Sequence, residues 1–277
     1  MHTPVLLHEV VTGLDVRKGR RYIDATAGEG GHIRAIVEAG AEVLGIDRDQ
    51  AQIDRLKKEF AGESRLILAG GSFGDIAALA AQYDFKPADG VLFDLGLSMK
   101  QLTTSGRGFS YKELADPLDM RLDTNEVETA ADLINRGSVQ ELYYVFARNA
   151  EEPASYQIAE AVVRQRTVKK IATVSDLTDC LNKSSATPIS NDTLARVFQA
   201  LRMAVNREIE ALQKGLDGAL SIVRTPGKIA VITFHSVEDR IVKRWIEQHG
   251  LKKNSRLVFP KKDKRFTRSA KLRLINV

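Results

Sequence analysis

Short apolar runs alternate with helix-like runs over the first hundred residues, and this rhythm constrains the fold more than any other feature. The apolar runs are RYIDATAG, EVLGID, RLILAG and GVLFDLG, and the runs between them are HIRAIVEAG, QAQIDRLKKEF and DIAALAAQY. Continuous apolar strands are typical of a parallel sheet whose two faces are both covered by helices. The alternation therefore predicts a doubly wound α/β fold.

The alternation stops after Gly96, and helix signals dominate the next ninety or so residues. SVQELYYVFA begins with a capping-box pattern, Ser138 with Glu141, and Ser175 is expected to open the helix DLTDCLNK. Apolar residues at three- and four-residue steps then predict one long helix from Asp192 to Leu220. We expect a core in two parts, residues 1–101 and 192–277, separated by an all-helical insert at 102–191.

The second part of the core reads as a return to strands. The turn TPG is followed by the strand KIAVITFH, the helix VEDRIVKRWIEQHG, and two final strands, SRLVF and AKLRLINV. The chain thus completes, after the insert, the α/β domain that it began before it.

Three glycines cluster where the first strand ends, in the stretch IDATAGEGGH. In open α/β sheets, ligands bind at the carboxyl ends of strands, where glycine lets the backbone approach closely. Gly28, Gly30 and Gly31 occupy that position, and Asp47 ends the next strand nineteen residues after Gly28. A carboxylate there accepts hydrogen bonds from ribose hydroxyls, so the pattern predicts an adenosine-type ligand.

Several nucleotide-like ligands could bind at this corner, and the residues around it discriminate between them. A dinucleotide loop expects a glycine where the chain has Ile33, and no phosphate-binding P-loop motif is present. Asp24, just before the turn, would repel a pyrophosphate but attract an ammonium group. S-adenosylmethionine is therefore favoured, with an NAD-dependent dehydrogenase as the weaker alternative. Asp94 ends the fourth strand beside this site, and Phe73 either flanks the adenine or packs in the core.

Charge and cysteine content limit the classes of partner. The net charge is +5, and residues 252–273 contain ten Lys or Arg against one acid, which fits either phosphate binding or a solvated basic tail. Cys180 is the single cysteine, so we expect no intrachain disulfide, a reducing cytoplasm and, with five scattered histidines, no metal site. No apolar stretch reaches 18 residues, so no membrane partner is expected.

A series of longer motifs resembles one family. In order, they are HTPVLLHEV, DATAGEGGH, GIDRD, FDLGLS, QLTTSGRGFS, PLDMRL, FQALRMAVNREI, ITFHSVEDRIVK and RSAKLR. Together they resemble the bacterial 16S ribosomal RNA cytosine-N4 methyltransferases, also known as RsmH or MraW, over nearly the whole chain. The resemblance implies a Rossmann-like S-adenosylmethionine-dependent methyltransferase domain, with a helical insert for substrate recognition. The implied product is N4-methylcytidine in the decoding region, at the P site, of small-subunit RNA.

The same resemblance assigns residues to the cofactor. The family's cofactor positions match Gly30, Gly31, His32, Asp47, Phe73, Asp94 and Gln101, to which the pattern of the residues adds Asp24 and Gly28. Asp94 is also the candidate catalytic residue, since a polar acceptor after the fourth strand can hold an amine hydrogen.

The expected partner is small-subunit ribosomal RNA or the 30S subunit, bound by a monomer or homodimer. The predicted RNA-binding residues are Arg107, Arg121, His235, Ser236, Arg240, Lys243, Arg244, Arg268 and Lys271. His235 and Ser236 contact the cytidine or a phosphate, or simply brace the end of a strand. The chain departs from the family in ISNDTLARV, SYQIAEAVVRQR and YKELADP, within or beside the insert, so a non-catalytic RNA-binding or assembly factor is the other alternative.

Overall fold

A computed structural model describes residues 4–184, 188–260 and 269–277. Contacts within the chain divide it into two compact units, residues 1–96 with 209–277 (the core unit) and residues 97–208 (the helical unit). Among the described residues, no helix is long and apolar enough to cross a membrane.

The core unit is built on a seven-stranded sheet. Its strands are β1 (Arg21–Asp24), β2 (Glu42–Asp47), β3 (Leu66–Gly70), β4 (Ala88–Asp94), β5 (Val223–Thr233), β6 (Ser255–Val258) and β7 (Lys271–Asn276). Across the sheet they lie in the order β3-β2-β1-β4-β5-β7-β6. The first five strands are parallel, and β7 runs antiparallel between β5 and β6. The predicted doubly wound α/β fold is confirmed, and the antiparallel β7 adds a feature that the apolar pattern does not encode.

Helices cover both faces of this sheet. They are α1 (Leu7–Gly13), α2 (Gly31–Glu38), α3 (Gln50–Glu59), α4 (Ile76–Gln82), α11 (Glu208–Ile222) and α12 (Ser236–Gln248). Residues of α1, α2 and α3 pack in one apolar cluster, and residues of α4, α11 and α12 pack in another. Ile33 is fully buried, and a side chain at Gly45 of β2 would lie 2.7 Å from its Cδ1 atom. Ile33 therefore fills the space between helix and sheet that a third glycine would leave open.

The helical unit has no strand among its described residues. Its helices are α5 (Met99–Thr104), α6 (Ala130–Arg136), α7 (Val139–Ala150), α8 (Ser155–Arg166), α9 (Val174–Lys183) and α10 (Asn191–Val205). The predicted capping box of Ser138 and Glu141 opens α7. The prediction that Ser175 opens α9 is wrong, because Thr173 caps that helix with Asp176 as its box partner.

The predicted long helix from Asp192 is also wrong, because two helices occupy this stretch. Between α10 and α11, Arg207 has a positive φ of 50°, and Asn206 is buried at 1% exposure. The Asn206 amide donates to the Met120 carbonyl at 2.7 Å and accepts from the Leu122 amide at 2.8 Å. These long-range bonds end α10, although the apolar periodicity continues past them.

The position of α10 also differs from the predicted division at residues 191 and 192. The α10 side chains Leu194, Val197, Phe198 and Leu201 pack in the apolar cluster of the helical unit. That unit consequently extends to residue 208, and it starts at residue 97 rather than 102.

The predicted TPG turn lies inside a strand. β5 runs through Thr225–Gly227, and its register against β4 slips between the pairs Ala88–Val223 and Gly90–Lys228. The slip takes up the extra residues of β5, so the strand continues where the composition predicts a reversal.

Candidate functional site

Three carboxylates lie at the carboxyl ends of three neighbouring strands of the core unit. Asp24 ends β1, Asp47 ends β2 and Asp94 ends β4, and the sheet order places β1 between the other two. The chain winds outward in opposite directions from β1 and β4, so their boundary is the topological switch point at which α/β sheets bind ligands. The structure thus brings together the three acids that the sequence predicts.

The glycine corner turns the chain from β1 into α2. Gly28 and Gly30 have positive φ values of 49° and 81°, which side chains adopt only with strain. A side chain at Gly30 would also lie 2.5 Å from Leu56, and one at Gly31 would collide with Pro4. These glycines are required by backbone conformation and close packing, and they place the start of α2 beside the strand ends.

Asp47 is held by the backbone of two turns. One carboxylate oxygen accepts from the Gly28 amide at 2.7 Å and the other from the Asp49 amide at 2.8 Å. Burial raises the pKa of Asp47 to about 6, although these donors act to lower it. Each oxygen keeps a free lone pair, so this carboxylate remains able to accept from the hydroxyls of a ribose.

Asp24 is the most deeply buried acid of the three, with 1% of its surface exposed. Its Oδ1 accepts from the Thr26 amide at 3.1 Å. Burial raises the pKa of Asp24 to about 6, while the charge of His32 acts to lower it. A bound cation, such as an ammonium or sulfonium group, would stabilise an ionised carboxylate in such a buried place.

His32 and Asp94 form a pair at the centre of the site. His32 lies in the first turn of α2 with 5% of its side chain exposed, and Asp94 is 24% exposed. The His32 Nε2 atom is 3.4 Å from Asp94 Oδ2, a distance of an ion pair rather than of a well-formed hydrogen bond. Both ring nitrogens and Asp94 Oδ1 are buried without a hydrogen-bond partner among the described residues. Such groups cost free energy unless something satisfies them.

Phe73 and Gln101 belong to different units. Phe73 follows β3 and packs edge-on against Phe93 with ring centroids 5.9 Å apart, which agrees with the expected core role and leaves the ring partly exposed. Gln101 lies in the helical unit, where its side chain accepts from the Ser98 amide at 3.0 Å and completes the capping box of α5. Their predicted cofactor roles stay predictions.

His235 and Ser236 follow β5 at the same edge of the sheet. His235 caps α12, its Nδ1 accepting from the Glu238 amide at 3.4 Å. The buried Glu238 carboxylate lies 3.0 Å from His235 Nε2 and accepts from the Phe234 amide at 2.8 Å. This arrangement matches the bracing role that the sequence left open for His235 and Ser236, the first residue of α12.

Two of the predicted RNA-binding arginines are engaged inside the helical unit. Arg107 donates to the carbonyls of Arg121 and Leu122 at 3.0 and 3.1 Å. Arg121 pairs with both oxygens of Asp119 at 2.7 Å and donates to two further carbonyls. These contacts account for both side chains without a nucleic acid.

The predicted basic residues of the core unit divide into two kinds. Lys271 lies 2.9 Å from Asp239, a carboxylate that Arg273 also contacts at 2.8 Å. Arg240, Lys243 and Arg244 are exposed on α12, and within the described ranges Lys243 and Arg244 make no ion pair. Arg268 lies outside the described residues.

The site residues fit one kind of ligand best. Carboxylates that accept hydrogen bonds and favour positive charge match the ribose, ammonium and sulfonium groups of S-adenosylmethionine, whereas they would repel a pyrophosphate. In the described part of the chain, no group of three or more metal-ligating side chains gathers.

Two supporting residues escaped prediction from the sequence. The Thr26 hydroxyl accepts from the Asp94 amide at 2.7 Å, and its own amide donates to Asp24, so Thr26 links two of the three acids. Its position two residues after Asp24 is the one signal for it. Glu238 holds His235 as described, and a buried acid in a helical pattern gives no such signal.

Comparisons with known proteins agree on a family. The model of the MraW methylase family matches residues 1–276. "Ribosomal RNA small subunit methyltransferase H" of Thermomicrobium roseum is 45% identical over 90% of this chain and 78% of its own. The proteins of that name from Shewanella woodyi and Shewanella baltica strain OS155 are 39% and 36% identical, over 90% and 99% of this chain and 80% and 88% of theirs. A solved rRNA methylase from Streptococcus thermophilus is 10% identical, with a TM-score of 0.47 over 100% of this chain and 98% of its own.

Proposed function

Because the chain belongs to the MraW methylase family, with S-adenosylmethionine as its cofactor, we propose that it methylates the exocyclic N4 of a cytidine in small-subunit ribosomal RNA. The proposed target lies in the decoding region, at the P site. Relatives that are 36–45% identical carry the name ribosomal RNA small subunit methyltransferase H, which supports the RNA substrate. Methylation at N4 of cytidine is what the family resemblance carried by the motifs FDLGLS, PLDMRL and ITFHSVEDRIVK implies.

One observation carries the proposal, namely the cluster of three acids, two of them deeply or partly buried beside a half-buried third, at the strand ends. Asp24 and Asp47 each have a pKa raised to about 6 by burial, and Asp94 Oδ1 has no hydrogen-bond partner in the described chain. In this proposal, Asp47 accepts from the ribose and Asp24 faces the positive charge of the cofactor. Gly28, Gly30, Gly31, His32, Phe73 and Gln101 complete the proposed cofactor set.

Asp94 has the chemical character that amine methylation requires. The cytosine amine is a weak nucleophile because its lone pair is delocalised into the ring. When bound, S-adenosylmethionine would supply the methyl group to the nitrogen, and the electron pair of its carbon–sulfur bond would stay on sulfur. The Asp94 carboxylate holds an N4 hydrogen, aligns the amine and takes the proton that leaves it. Its 24% exposure leaves it within reach of a substrate.

The RNA is bound, in this proposal, by the exposed cations of residues 243–256. This segment carries five Lys or Arg and one acid, and Lys243, Arg244, Lys252, Lys253 and Arg256 are all exposed. Phosphate contacts of this kind position the strand but do not select the base. The target cytidine has to leave its stack to reach the methyl group, and base contacts then provide selectivity.

Transfer of tritium from labelled S-adenosylmethionine tests the activity directly. Naked small-subunit RNA, assembled 30S subunits and a large-subunit RNA control are incubated separately with the full chain. We expect label in the small-subunit material, and none when Asp94→Asn replaces the natural chain. Absence of label in every RNA and subunit, with cofactor binding intact, contradicts the proposal.

The two alternative functions make different demands. A dehydrogenase needs a dinucleotide, and Ile33 buried against Gly45 leaves no third glycine for it. Titration with NAD and S-adenosylmethionine compares them. A non-catalytic assembly factor would keep its effect on subunit assembly in the Asp94→Ala variant, whereas a methylase would lose its product.

A further inference from the structure

His32 is the buried partner of the acid that the proposed reaction uses. From the surface inward, the exposed fraction falls from 24% for Asp94 to 5% for His32 and 1% for Asp24. The charges of both carboxylates act on the imidazole, that of the half-buried Asp94 and that of the buried Asp24. Its Nε2 is 3.4 Å from Asp94 Oδ2, and within the described chain neither ring nitrogen has a hydrogen-bond partner.

Electrostatics decides which form of His32 occupies this place. Two carboxylates close together in a buried site disfavour ionisation of both, unless a positive charge lies near them. The charges that act on the ring come from Asp94 on β4 and Asp24 on β1. Burial lowers the pKa of His32, but the nearby carboxylate of Asp94 and the charge of Asp24 outweigh it, so that the pKa is raised.

We propose that His32 is a positioning residue for Asp94, and that its imidazolium holds this carboxylate in one orientation. This role rests on the methyl transfer proposed above and goes beyond contact with the cofactor. The hydrogen bond from the Asp94 amide to the Thr26 hydroxyl, 2.7 Å long, fixes the backbone of Asp94. The buried His32 ring fixes the Oδ2 atom of its side chain. Asp94 then receives the N4 proton while His32 keeps its own.

Loss of this role should change the rate of the reaction more than the affinity for the cofactor. His32→Asn keeps a polar side chain of similar reach but cannot carry a charge. We expect kcat to fall by roughly 10–100-fold, as for misalignment of a reacting group, and this fall should exceed any rise in the KM for S-adenosylmethionine that comes from the loss of the cofactor contact of His32. The natural chain should lose kcat as the pH rises and His32 deprotonates, and His32→Asn should lack that limb. A raised KM with unchanged kcat overturns the role.

Histidine titration by NMR tests the pair without any cofactor or substrate. The full chain is labelled in its histidine rings, and the His32 signal is identified by its absence from His32→Asn. We expect its titration midpoint to fall by at least about one pH unit in Asp94→Asn, since an adjacent opposite charge shifts a pKa by about 1–3 units. Asp217→Asn is the matched control, because it removes an acid 3.5 Å from a different histidine, His249, and should leave the His32 midpoint unchanged.

The outcomes of the titration separate the two proposals. An unchanged His32 midpoint in Asp94→Asn overturns the positioning role, even if the chain methylates RNA. A lowered midpoint in a chain that methylates no RNA supports the pair and contradicts the proposed function. Chemical shifts of the other histidines report whether each variant is folded.

Discussion

The core unit and the helical unit use their charges in opposite ways. The helical unit contains fourteen Lys or Arg and fifteen Asp or Glu, so it is nearly neutral, and the rest of the chain carries the positive excess. In the helical unit, Arg107, Arg121 and Arg196 are bound to carbonyls or carboxylates of the same unit. In the core unit, Asp94 Oδ1 and both ring nitrogens of His32 have no hydrogen-bond partner among the described residues, and bases remain exposed on α12.

This difference separates charges that maintain the fold from charges that are available to a ligand. Polar groups that are already paired gain little from a new partner, whereas buried unsatisfied groups gain much. We therefore expect substitutions in the helical unit to lower stability, and substitutions at the core unit's strand ends to lower activity. Five substitutions test this contrast, and they follow in order of decreasing expected effect.

Substitution of Asp94 should have the largest effect. Asp94→Asn keeps the size of the side chain but removes the charge that orients the amine, and we expect kcat to fall by about 100–1,000-fold. Single-turnover transfer to small-subunit RNA measures this. The matched control is Asp75→Asn, an exposed acid outside the three strand ends. A loss of less than about threefold for Asp94→Asn would remove Asp94 from the reaction.

Asp24→Asn should weaken cofactor binding and raise the free energy of unfolding. The folded-state pKa of Asp24 is about 6, above its ordinary 3.8, so its stabilising contribution is present below the ordinary value and lost as the pH rises through 6. At pH 7.5 the ionised acid costs about 2–3 kcal/mol, which Asn avoids. Urea unfolding without cofactor should show that gain at pH 7.5 and none at pH 4, together with weaker binding of S-adenosylmethionine. An equal difference in unfolding free energy between variant and natural chain at both pH values would contradict the effect of burial.

In the helical unit, Arg121→Ala should lower the free energy of unfolding and leave the salt dependence of RNA binding unchanged. The variant breaks a two-bond pair with Asp119 and two bonds to carbonyls, and the expected loss is about 2 kcal/mol of unfolding free energy. Chemical unfolding measures it, with the exposed Lys112→Ala as control. A smaller salt dependence of RNA binding at unchanged stability would instead make Arg121 a phosphate contact.

Lys243→Gln and Arg244→Gln should have the smallest effect, confined to RNA affinity. Both side chains are exposed, so stability should stay within about 0.5 kcal/mol. Removing a cation that binds a phosphate should reduce the slope of log affinity against log salt by about 1. Lys58→Gln, an exposed lysine of α3, is the control. An unchanged slope for both variants would place the RNA elsewhere.

The fold and the strand-end acids were predictable because they follow from local patterns. A parallel strand ends where its apolar run ends, so Asp24, Asp47 and Asp94 could be assigned to one edge without coordinates. The glycine corner was predictable for the same reason, since the clustered glycines mark a turn, between β1 and α2, in which Gly28 and Gly30 take positive φ.

Long-range contacts account for the features that the sequence did not predict. The break between α10 and α11 depends on Asn206 bonding to Met120 and Leu122, more than eighty residues away. The internal roles of Arg107 and Arg121 depend on carbonyls of a folded loop, and no composition or spacing distinguishes them from free surface arginines. The pairing of His32 with Asp94 likewise joins residues of two separate elements.

Mass mapping of methylated nucleosides tests the central claim most directly. Small-subunit RNA lacking the modification is incubated with S-adenosylmethionine and either the natural chain or Asp94→Asn, then digested and sequenced by mass. We expect N4-methylcytidine at a single decoding-region cytidine with the natural chain, and an unmodified cytidine there with the variant. A methyl group on another atom or nucleotide, or equal product from both proteins, would contradict it.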